Sequence, residues 1–268
     1  MTFTTEGSQR RRLMEFVIDR LRPLSFKGKA RLLAPLCPQT GRRLADVFGY
    51  AMELDMAEYF QRYVYLGAYE RRESKIVAGH LRNGMVFFDV GANIGYYSLM
   101  AAAKCGPEAR IVAFEPNPEV AGHLARTVST NRIRTITIEP FALSSAHDRQ
   151  AKLYLGPADF ATSTMVPGNG GIAVSVETTT LDAYLESHGI ERVDFMKVDV
   201  DGFESEVFAG ARKSLANGKI RALLYESSGS SPRAVYETLQ SLGMRSDHQW
   251  TDSELAWANV LMHFRSSR

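Results

Sequence analysis

Short apolar runs alternate with longer amphipathic segments over most of this chain, from about residue 85 onward. The runs are typical of buried strands, and the amphipathic segments have the apolar spacing of helices. Strands that alternate with helices predict a parallel sheet covered by helices, and hence an α/β fold. The predicted strands are 85–90, 111–115, 135–139, 193–199 and 220–226, and the predicted helices are 96–105, 118–130, 203–216 and 232–242.

The pattern before residue 81 is different, so we predict an accessory cap of residues 1–80 and a domain of residues 81–268. An amphipathic helix is predicted over residues 11–22. The alternation of polar and apolar residues in Arg42–Met56, centred on Gly49, predicts a hairpin. The cap is therefore expected to combine helices with one hairpin.

An insertion interrupts the strand-helix alternation at about residues 144–180. Its two strand-like ends flank the loop DFATSTMVPGNGG and predict an inserted hairpin that reaches over one edge of the sheet. The C-terminal segments 244–250 and 258–264 are predicted to be two further strands joined by a loop.

The segment FFDVGANIGYYS contains the most informative loop of the chain. A buried strand ends at Val90 and a helix begins at about Tyr96, so Gly91–Gly95 connects a strand end to a helix N-terminus. A helix N-terminus offers unpaired N–H groups, and glycines let a ligand approach the backbone closely. We therefore expect a ligand at this loop.

The spacing within this loop excludes two common nucleotide sites. The dinucleotide fingerprint requires glycine where the chain has Asn93, and no Gly-Lys-Ser/Thr follows to make a P-loop. Two carboxylates remain, Asp89 on the strand before the loop and Glu115 at the end of the next strand. Glu115 is placed to accept hydrogen bonds from ribose hydroxyls, and Asp89 would attract an ammonium group. A ligand with both groups indicates S-adenosylmethionine (SAM).

A second segment, FMKVDVDGFE, introduces charges into a strand that should be apolar. Lys197, Asp199 and Asp201 share one parity and would project to one side of an extended chain, and Glu226 ends the neighbouring strand. Because a hydroxyl that attacks a methyl group must lose its proton, we predict these four residues as the catalytic groups on the acceptor side. Helix capping and a paired lysine are the structural alternatives.

The chemistry of this cluster stays open at the level of the sequence. A divalent ion shared by Asp201, Glu226 and Asp199 is a hypothesis that rests only on converging oxygen ligands. His147 and His248 follow predicted strands closely and are further candidates for a general base.

Composition narrows the class of protein only modestly. The chain has 268 residues, 45% apolar content and a formal net charge of +2, which suits one sizeable domain and gives no strong basic field for nucleic acid. We expect no membrane span, and charged residues interrupt the N-terminal helix, unlike a signal peptide. Two cysteines, Cys37 and Cys105, are too few for a disulfide framework, so we expect a cytoplasmic protein. A homo-oligomer is compatible with the sequence.

Several motifs together resemble one known family. They occur in the order FFDVGANIGYYS, VAFEPNP, PFALSS, TTLDAYLESHGIERVDFMKVDVDGFESEVFAGA and LLYE, and resemble the FkbM family of SAM-dependent methyltransferases over about Gly67 to Glu226. The resemblance implies a Rossmann-like class I methyltransferase fold, with a seven-stranded sheet whose last strand is antiparallel. It also implies O-methylation of a sugar, glycolipid or polyketide-type natural product. The family usually has Glu-Gly where this chain has Asp201 and Gly202, a departure that shortens the reach of the carboxylate.

The resemblance also implies the residues that bind the cofactor. Glu115 would bind the ribose hydroxyls, Phe141 would meet the adenine, and the element that contains Tyr69 would close over the cofactor. The implied residues are Tyr69, Glu70, Asp89, Gly91, Ala92, Asn93, Gly95, Glu115, Pro116, Asn117, Phe141 and Ala142.

We therefore predict a SAM-dependent O-methyltransferase that transfers the methyl group directly, in line, to a small-molecule or glycosidic hydroxyl. One alternative is a methyltransferase that acts on nitrogen or nucleic acid, although the chain has neither a basic stripe with interleaved aromatic residues nor an Asn/Asp-Pro-Pro-Tyr motif. The other alternative is a non-catalytic SAM-binding protein, which would have no need of the acidic cluster.

Overall fold

The computed structural model describes residues 28–147, 149–156, 163–166, 172–227, 231–256 and 258–265, and at the N-terminus residues 14, 16–18, 20, 21, 24 and 26. The chain forms two compact units, Met1–Ser74 and Lys75–Arg268. The boundary predicted at residue 80 stays a prediction.

The first unit combines short helices with one β-hairpin. Its two strands pair antiparallel around Phe48 and Gly49, which both have positive φ, so the predicted hairpin is confirmed. Of the helix predicted over residues 11–22, residues 14, 16–18, 20 and 21 are helical and the others lie outside the described residues. The elements are α1 (Lys29–Leu33), a 3-10 turn (Ala34–Leu36), β1 (Arg42–Val47), β2 (Tyr50–Asp55), α2 (Tyr59–Tyr65) and α3 (Arg71–His80), which continues into the second unit.

The second unit alternates strands with helices, as the sequence predicted. Its strands are β3 (Val86–Val90), β4 (Arg110–Phe114), β5 (Ile136–Glu139), β6 (Ala142–Leu143), β7 (Arg149–Tyr154), β8 (Ala173–Thr179), β9 (Phe195–Val198), β10 (Ala222–Ser227), β11 (Met244–Arg245) and β12 (Ala258–Phe264). Its helices are α4 (Tyr96–Cys105), α5 (Pro118–Thr130), α6 (Leu181–Ser187), α7 (Glu204–Ala209), α8 (Arg212–Ala216), α9 (Pro232–Ser241) and α10 (Asp252–Leu255).

Seven of these strands form one sheet in the order β11-β12-β10-β9-β3-β4-β5. The pairs from β10 to β5 are parallel, and β12 is antiparallel to both of its neighbours. This is the α/β fold of class I methyltransferases with an antiparallel last strand, and the predicted fold class is confirmed.

The central strands are buried because helices cover both faces of the sheet. All four residues of β9 are buried, as are the last four residues of β3 and of β4. Aromatic rings fill one face: Phe114 lies 5.4 Å from Phe88 and 5.0 Å from Tyr184 between ring centroids. This packing holds the strand ends of β3 and β4 in fixed positions.

The insertion contains more structure than a hairpin. β7 and β8 pair antiparallel, and β6 pairs parallel with β8 in a separate three-stranded sheet. Residues 159–162 and 167–171 of the predicted loop, and residues 157 and 158 before it, lie outside the described residues. Between these two gaps, Thr164 pairs with Tyr154 through backbone hydrogen bonds of 2.8 and 3.0 Å.

Three local features differ from the prediction. Two predicted elements are shorter than expected, and one helix was not predicted. The helix predicted over 203–216 is divided into α7 and α8, because Gly210 packs against the Ser144 carbonyl, which would lie 2.0 Å from a Cβ atom there. Helix α6 was missed, although the Thr180 hydroxyl caps it by accepting a hydrogen bond from the Ala183 N–H at 3.1 Å. The strand predicted over 244–250 ends at Arg245, since the Trp250 indole N–H donates to the Ser246 hydroxyl at 3.1 Å and stabilises a bend.

Two further expectations from composition concern cysteine and the membrane. Cys37 and Cys105 are both buried and free. In the described part of the chain, no helix has the length and apolar character needed to cross a bilayer.

Candidate active site

The strand order reverses between β3 and β9, and in open α/β sheets ligands bind at such a switch point, beyond the carboxyl ends of the strands. The chain leaves β3 through Gly91–Gly95 and leaves β9 through residues 199–202. These two loops touch, because a Cβ atom on Gly91 would lie 1.8 Å from the Asp199 carbonyl oxygen. Gly91 also has a φ of 79°, so this position requires glycine on both grounds.

A cavity opens at this switch point, beyond the carboxyl ends of β3 and β9. The predicted site residues that line it are Gly91, Asn93, Glu115, Pro116, Phe141, Ala142, Asp199 and Asp201. The rule that ligands lie beyond the strand ends also selects Leu143 and Val200, whereas sequence reasoning missed Val90, Phe114, Leu153, Ser163, Met165 and Phe203. Most of the missed residues are apolar, and a search for charged or glycine-rich motifs does not select them.

Glu115 is held rigidly at the end of β4. One carboxylate oxygen accepts a hydrogen bond from the Asn93 N–H and the other from the Asn117 N–H, both at 2.8 Å. Each oxygen retains capacity to accept another hydrogen bond, as two adjacent ribose hydroxyls require. Burial raises the pKa of Glu115 to about 7, against the lowering effect of the two N–H donors.

The glycine loop itself is fixed by the strand beside it and by its own side chains. The N–H groups of Gly91 and Ala92 both donate to the Phe114 carbonyl at 3.0 Å. Asn93 has a φ of 50° and accepts a hydrogen bond from the Ile94 N–H at 2.8 Å. Gly95 precedes α4 and packs against Leu124, whose methyl carbon would lie 2.3 Å from a Cβ atom.

Asp89 is 1% exposed and lies behind this loop, outside the set of residues that line the cavity. It accepts a hydrogen bond from the Ser98 hydroxyl at 2.6 Å. Burial raises its pKa to about 6, while the hydrogen bond from Ser98 and the charge of Lys197 lower it. Its contact with an ammonium group stays a prediction.

Asn117 likewise supports the site from behind. Its side-chain oxygen caps α5 by accepting from the Glu119 N–H at 3.1 Å, and its amide donates to Ser163 of the insertion at 3.3 Å. It is 1% exposed and is not part of the described cavity lining, whereas its neighbour Pro116 is. Asn117 therefore connects the cofactor side of the cavity to the inserted segment.

Lys197, Asp199 and Glu226 form a connected charge group on the other side of the cavity. The buried Lys197 ammonium is 2.7 Å from a carboxylate oxygen of Asp199, and it also lies 5.1 Å from the Tyr97 ring centroid. Desolvation opposes ionisation of Asp199, but Lys197 and a hydrogen bond with Glu226 outweigh it and lower the pKa of Asp199. Desolvation and the hydrogen bond with Asp199 raise the pKa of Glu226 to about 9. Near neutral pH, Glu226 is therefore a neutral acid that donates to an ionised Asp199.

Asp201 differs from this paired group. The chain does not stay extended beyond β9, since Asp201 has a φ of 49°, so the expectation that Lys197, Asp199 and Asp201 project to one side was wrong at Asp201. Its carboxyl group lines the cavity. Desolvation raises its pKa to about 7, with further raising by Asp199 and Glu204 and lowering by Lys197.

The inserted segment contributes one wall of the cavity. Leu153, Ser163 and Met165 line it, and the buried Thr164 donates its hydroxyl hydrogen to the Asp201 carbonyl at 2.8 Å. Together with the bond from Asn117 to Ser163, this contact ties the segment to both sides of the cavity.

Other candidates lie elsewhere. Tyr69 and Glu70 belong to the first unit, and their predicted role over the cofactor stays a prediction. His147 lines a second pocket, which Phe141 also lines. The His248 ring packs edge-on against the Trp250 ring, with 4.6 Å between the ring centroids. Among the residues that the structure describes, no three His, Cys, Asp or Glu side chains come together to hold a metal ion, so the divalent ion hypothesised at Asp201, Glu226 and Asp199 gains no support.

The lining of the cavity fits SAM in the chemistry of its donors and acceptors. Two N–H groups fix the Glu115 carboxylate, which keeps the capacity to accept hydrogen bonds from a pair of ribose hydroxyls. Phe141 and Leu143 supply apolar surface of the kind that an adenine ring needs.

Comparison with known proteins gives one family over most of this unit. The sequence profile described as "Methyltransferase FkbM domain" matches residues 89–246, which is more than half of the chain.

Three curated proteins are similar to part of the chain. Methyltransferase sdnD of Sordaria araneosa is 31% identical over an alignment of 153 residues, and the match covers 46% of this chain and 58% of that protein. Hexuronic acid methyltransferase AglP of Haloferax volcanii is 29% identical over 130 residues, covering 48% of this chain and 51% of that protein. The 2-O-methyltransferase NoeI of Sinorhizobium fredii is 28% identical over 149 residues, covering 48% and 58%. The chain thus spans little more than half the length of these relatives.

The contact between Gly91 and Asp199 yields a first prediction. Replacing Gly91 with alanine should separate the two loops, lower the melting temperature by several degrees and weaken SAM binding by about tenfold or more. The matched control is Gly122→Ala within α5, where the nearest atom is a flexible Arg126 nitrogen at 3.6 Å, and where alanine should leave SAM binding unchanged. Thermal unfolding and calorimetry measure both effects; equal behaviour of the two variants would contradict the prediction.

The position of Glu115 yields a second prediction. Glu115→Gln keeps the size of the side chain but weakens two charge-assisted hydrogen bonds to hydroxyls, so the Kd for SAM should rise roughly ten- to a hundredfold. Glu119→Gln, on the exposed start of α5, is the control and should bind SAM like the wild type. Calorimetry with SAM alone tests this prediction without knowledge of the acceptor, and an unchanged Kd for Glu115→Gln would rule out the ribose assignment.

Proposed function

Because this chain belongs to the FkbM family of methyltransferases, we propose that it transfers the methyl group of SAM to a hydroxyl group of a sugar or another natural-product acceptor. Membership in the family implies SAM as the methyl donor. Bound SAM would supply an electrophilic methyl group on a cationic sulfur.

One observation carries the proposal of a hydroxyl acceptor. Asp201 lines the same cavity as Glu115 with an exposed side chain, and desolvation together with the charges of Asp199 and Glu204 raises its pKa to about 7. Glu115 has a similar pKa, but both of its oxygens already accept hydrogen bonds from backbone N–H groups. A general base works best when its pKa is near the operating pH. An alcohol needs such a base during methyl transfer, because the ether oxygen that forms cannot keep the proton.

Within this proposal, Asp201 is the base. Its ionised carboxylate accepts the proton of the acceptor hydroxyl as the new C–O bond forms and the methyl–sulfur bond breaks. The electron pair of that bond stays on sulfur, so the donor leaves as a neutral thioether. Asp201 then loses its proton to solvent before the next turnover.

Asp199 is less suited to be the base, because Lys197 and the neutral Glu226 already neutralise and hydrogen-bond it. We assign to it an orienting role: its carboxylate accepts hydrogen bonds and fixes the polar wall beside Asp201. Lys197 and Glu226 support Asp199. Neither is among the described residues that line the cavity.

The relatives support the choice of a sugar-type acceptor. One is named for hexuronic acid and another for methylation at a 2-O position. A carbohydrate hydroxyl satisfies both names, and it matches a cavity wall that carries carboxylates able to accept hydrogen bonds from hydroxyl groups.

The central experiment measures transfer of labelled methyl groups from SAM into a panel of neutral sugars, uronic acids, glycolipids and macrolide alcohols, with amines and RNA as the competing classes. We expect label in a hydroxyl acceptor, and a loss of about a hundredfold or more in kcat for Asp201→Asn. Asp247→Asn, at a side chain that is 71% exposed, should keep full activity. Label only in amines or RNA, or full activity of Asp201→Asn, would refute the proposal.

The pH dependence gives an independent check. A base with a pKa of about 7 must be ionised to act, so kcat at saturating SAM should fall about tenfold per pH unit on the acid side of its midpoint. The cation on the donor should move this midpoint to or below pH 7, because a nearby positive charge favours the carboxylate. Asp201→Asn should have low activity that lacks this acid limb; a wild-type kcat independent of pH between 5 and 8 would contradict the assignment.

A further inference from the structure

We propose that Glu204 is the positioning residue that holds the Asp201 turn in its reactive conformation. This inference rests on the proposed function, because it concerns the geometry of the group to which we assign proton removal. It adds a residue that does not line the described cavity.

The Asp201 turn has an unfavourable backbone conformation that needs external support. Asp201 has a φ of 49° and Gly202 a φ of 94°, so two successive residues adopt left-handed backbone. Left-handed backbone is disfavoured for a residue with a Cβ atom, and such residues persist only when surrounding contacts hold them. Aspartate adopts this backbone more readily than most residues, and contacts from neighbouring groups stabilise it further.

Glu204 supplies such contacts to the turn. It is 2% exposed at the start of α7, and one carboxylate oxygen accepts hydrogen bonds from the Gly202 N–H at 3.2 Å and the Val200 N–H at 3.4 Å. These two N–H groups flank Asp201 on both sides. The carboxylate therefore clamps the turn at its two ends, while Thr164 holds the Asp201 carbonyl at 2.8 Å from the other side.

A buried carboxylate is an expensive way to satisfy two N–H groups unless its charge also matters. The charge of Glu204 acts on Asp201, since repulsion between the two carboxylates raises the pKa of Asp201, after the larger effects of desolvation and Asp199. The charged groups that act on Asp201 are Asp199, which follows β9, Lys197 of β9, Glu204 of α7 and Glu115 at the end of β4; Asp201 in turn acts on Glu226 of β10. Of these, Glu204 alone among the described residues also bonds the backbone of the turn.

Two substitutions separate the two roles of Glu204. Glu204→Gln keeps an oxygen that accepts from both N–H groups but removes the charge, so kcat at high pH should stay within about threefold of wild type while the acid midpoint moves down by about half a pH unit or more. Glu204→Ala removes both bonds, so kcat should fall about tenfold or more with the Kd for SAM nearly unchanged. Glu206→Gln, on the same helix and bonded to Ser145 instead, is the control and should match the wild type in every measurement.

The decisive measurement needs no acceptor. Titration of the Asp201 carboxyl carbon by NMR, in the full-length chain with and without SAM, should give a lower midpoint in Glu204→Gln than in the wild type and Glu206→Gln. An unchanged midpoint, together with wild-type kcat in Glu204→Ala, would overturn the inference. If Glu204→Ala does not fold, Glu204→Asp replaces it, because the shorter side chain keeps the charge but cannot reach both N–H groups; a wild-type kcat in Glu204→Asp would then overturn the inference. A wild type that methylates no hydroxyl acceptor, but in which the Asp201 midpoint still responds to Glu204→Gln, would refute the proposed function and leave the clamp intact.

Discussion

The close contact between the Gly91–Gly95 loop and the turn after β9 determines the geometry of the whole site. The backbone of Gly91 passes so near to the Asp199 carbonyl that no side chain fits between them. This contact is available because β3 and β9 are neighbours at the point where the strand order reverses. A loop that offers N–H groups to a ligand is thereby joined to a turn that carries carboxylates.

The charges at this site are stable because each is either paired or neutralised. Lys197 and a protonated Glu226 compensate Asp199, and backbone N–H groups compensate Glu115. Ser98 supports Asp89 in the same way. Burial also raises the pKa of Glu115 to about 7 and that of Asp89 to about 6. Asp201 differs from them in its exposure and in the three carboxylates, Asp199, Glu204 and Glu115, that raise its pKa after desolvation. Because these carboxyl groups have different neighbours, their pKa values differ. We assign their roles from these differences and from their hydrogen bonds.

The insertion links the two halves of the site. Its described residues contact Asn117, which follows β4, and the backbone of Asp201, which follows β9. Ser163 and Met165 also add surface to the cavity itself. A change in the sequence of this segment would therefore alter the shape of the site without changing the loop after β3 or the turn after β9. Within the proposed function, this makes the segment a natural location for acceptor preference.

Local patterns in the sequence were sufficient for the main elements and for much of the cavity. The strands β3, β4 and β10 and the loop at Gly91 follow from apolar runs and glycine spacing, and Glu115 follows from its position after the second strand, because these signals depend on neighbours along the chain. The tertiary structure decided the division of α7 from α8 at Gly210, the contribution of Met165, and the positive φ of Asp201. It also determined that the carboxyl groups of Asp199 and Glu226 are hydrogen-bonded to each other. These features depend on contacts between residues far apart in sequence and on loss of solvent, which no local pattern encodes.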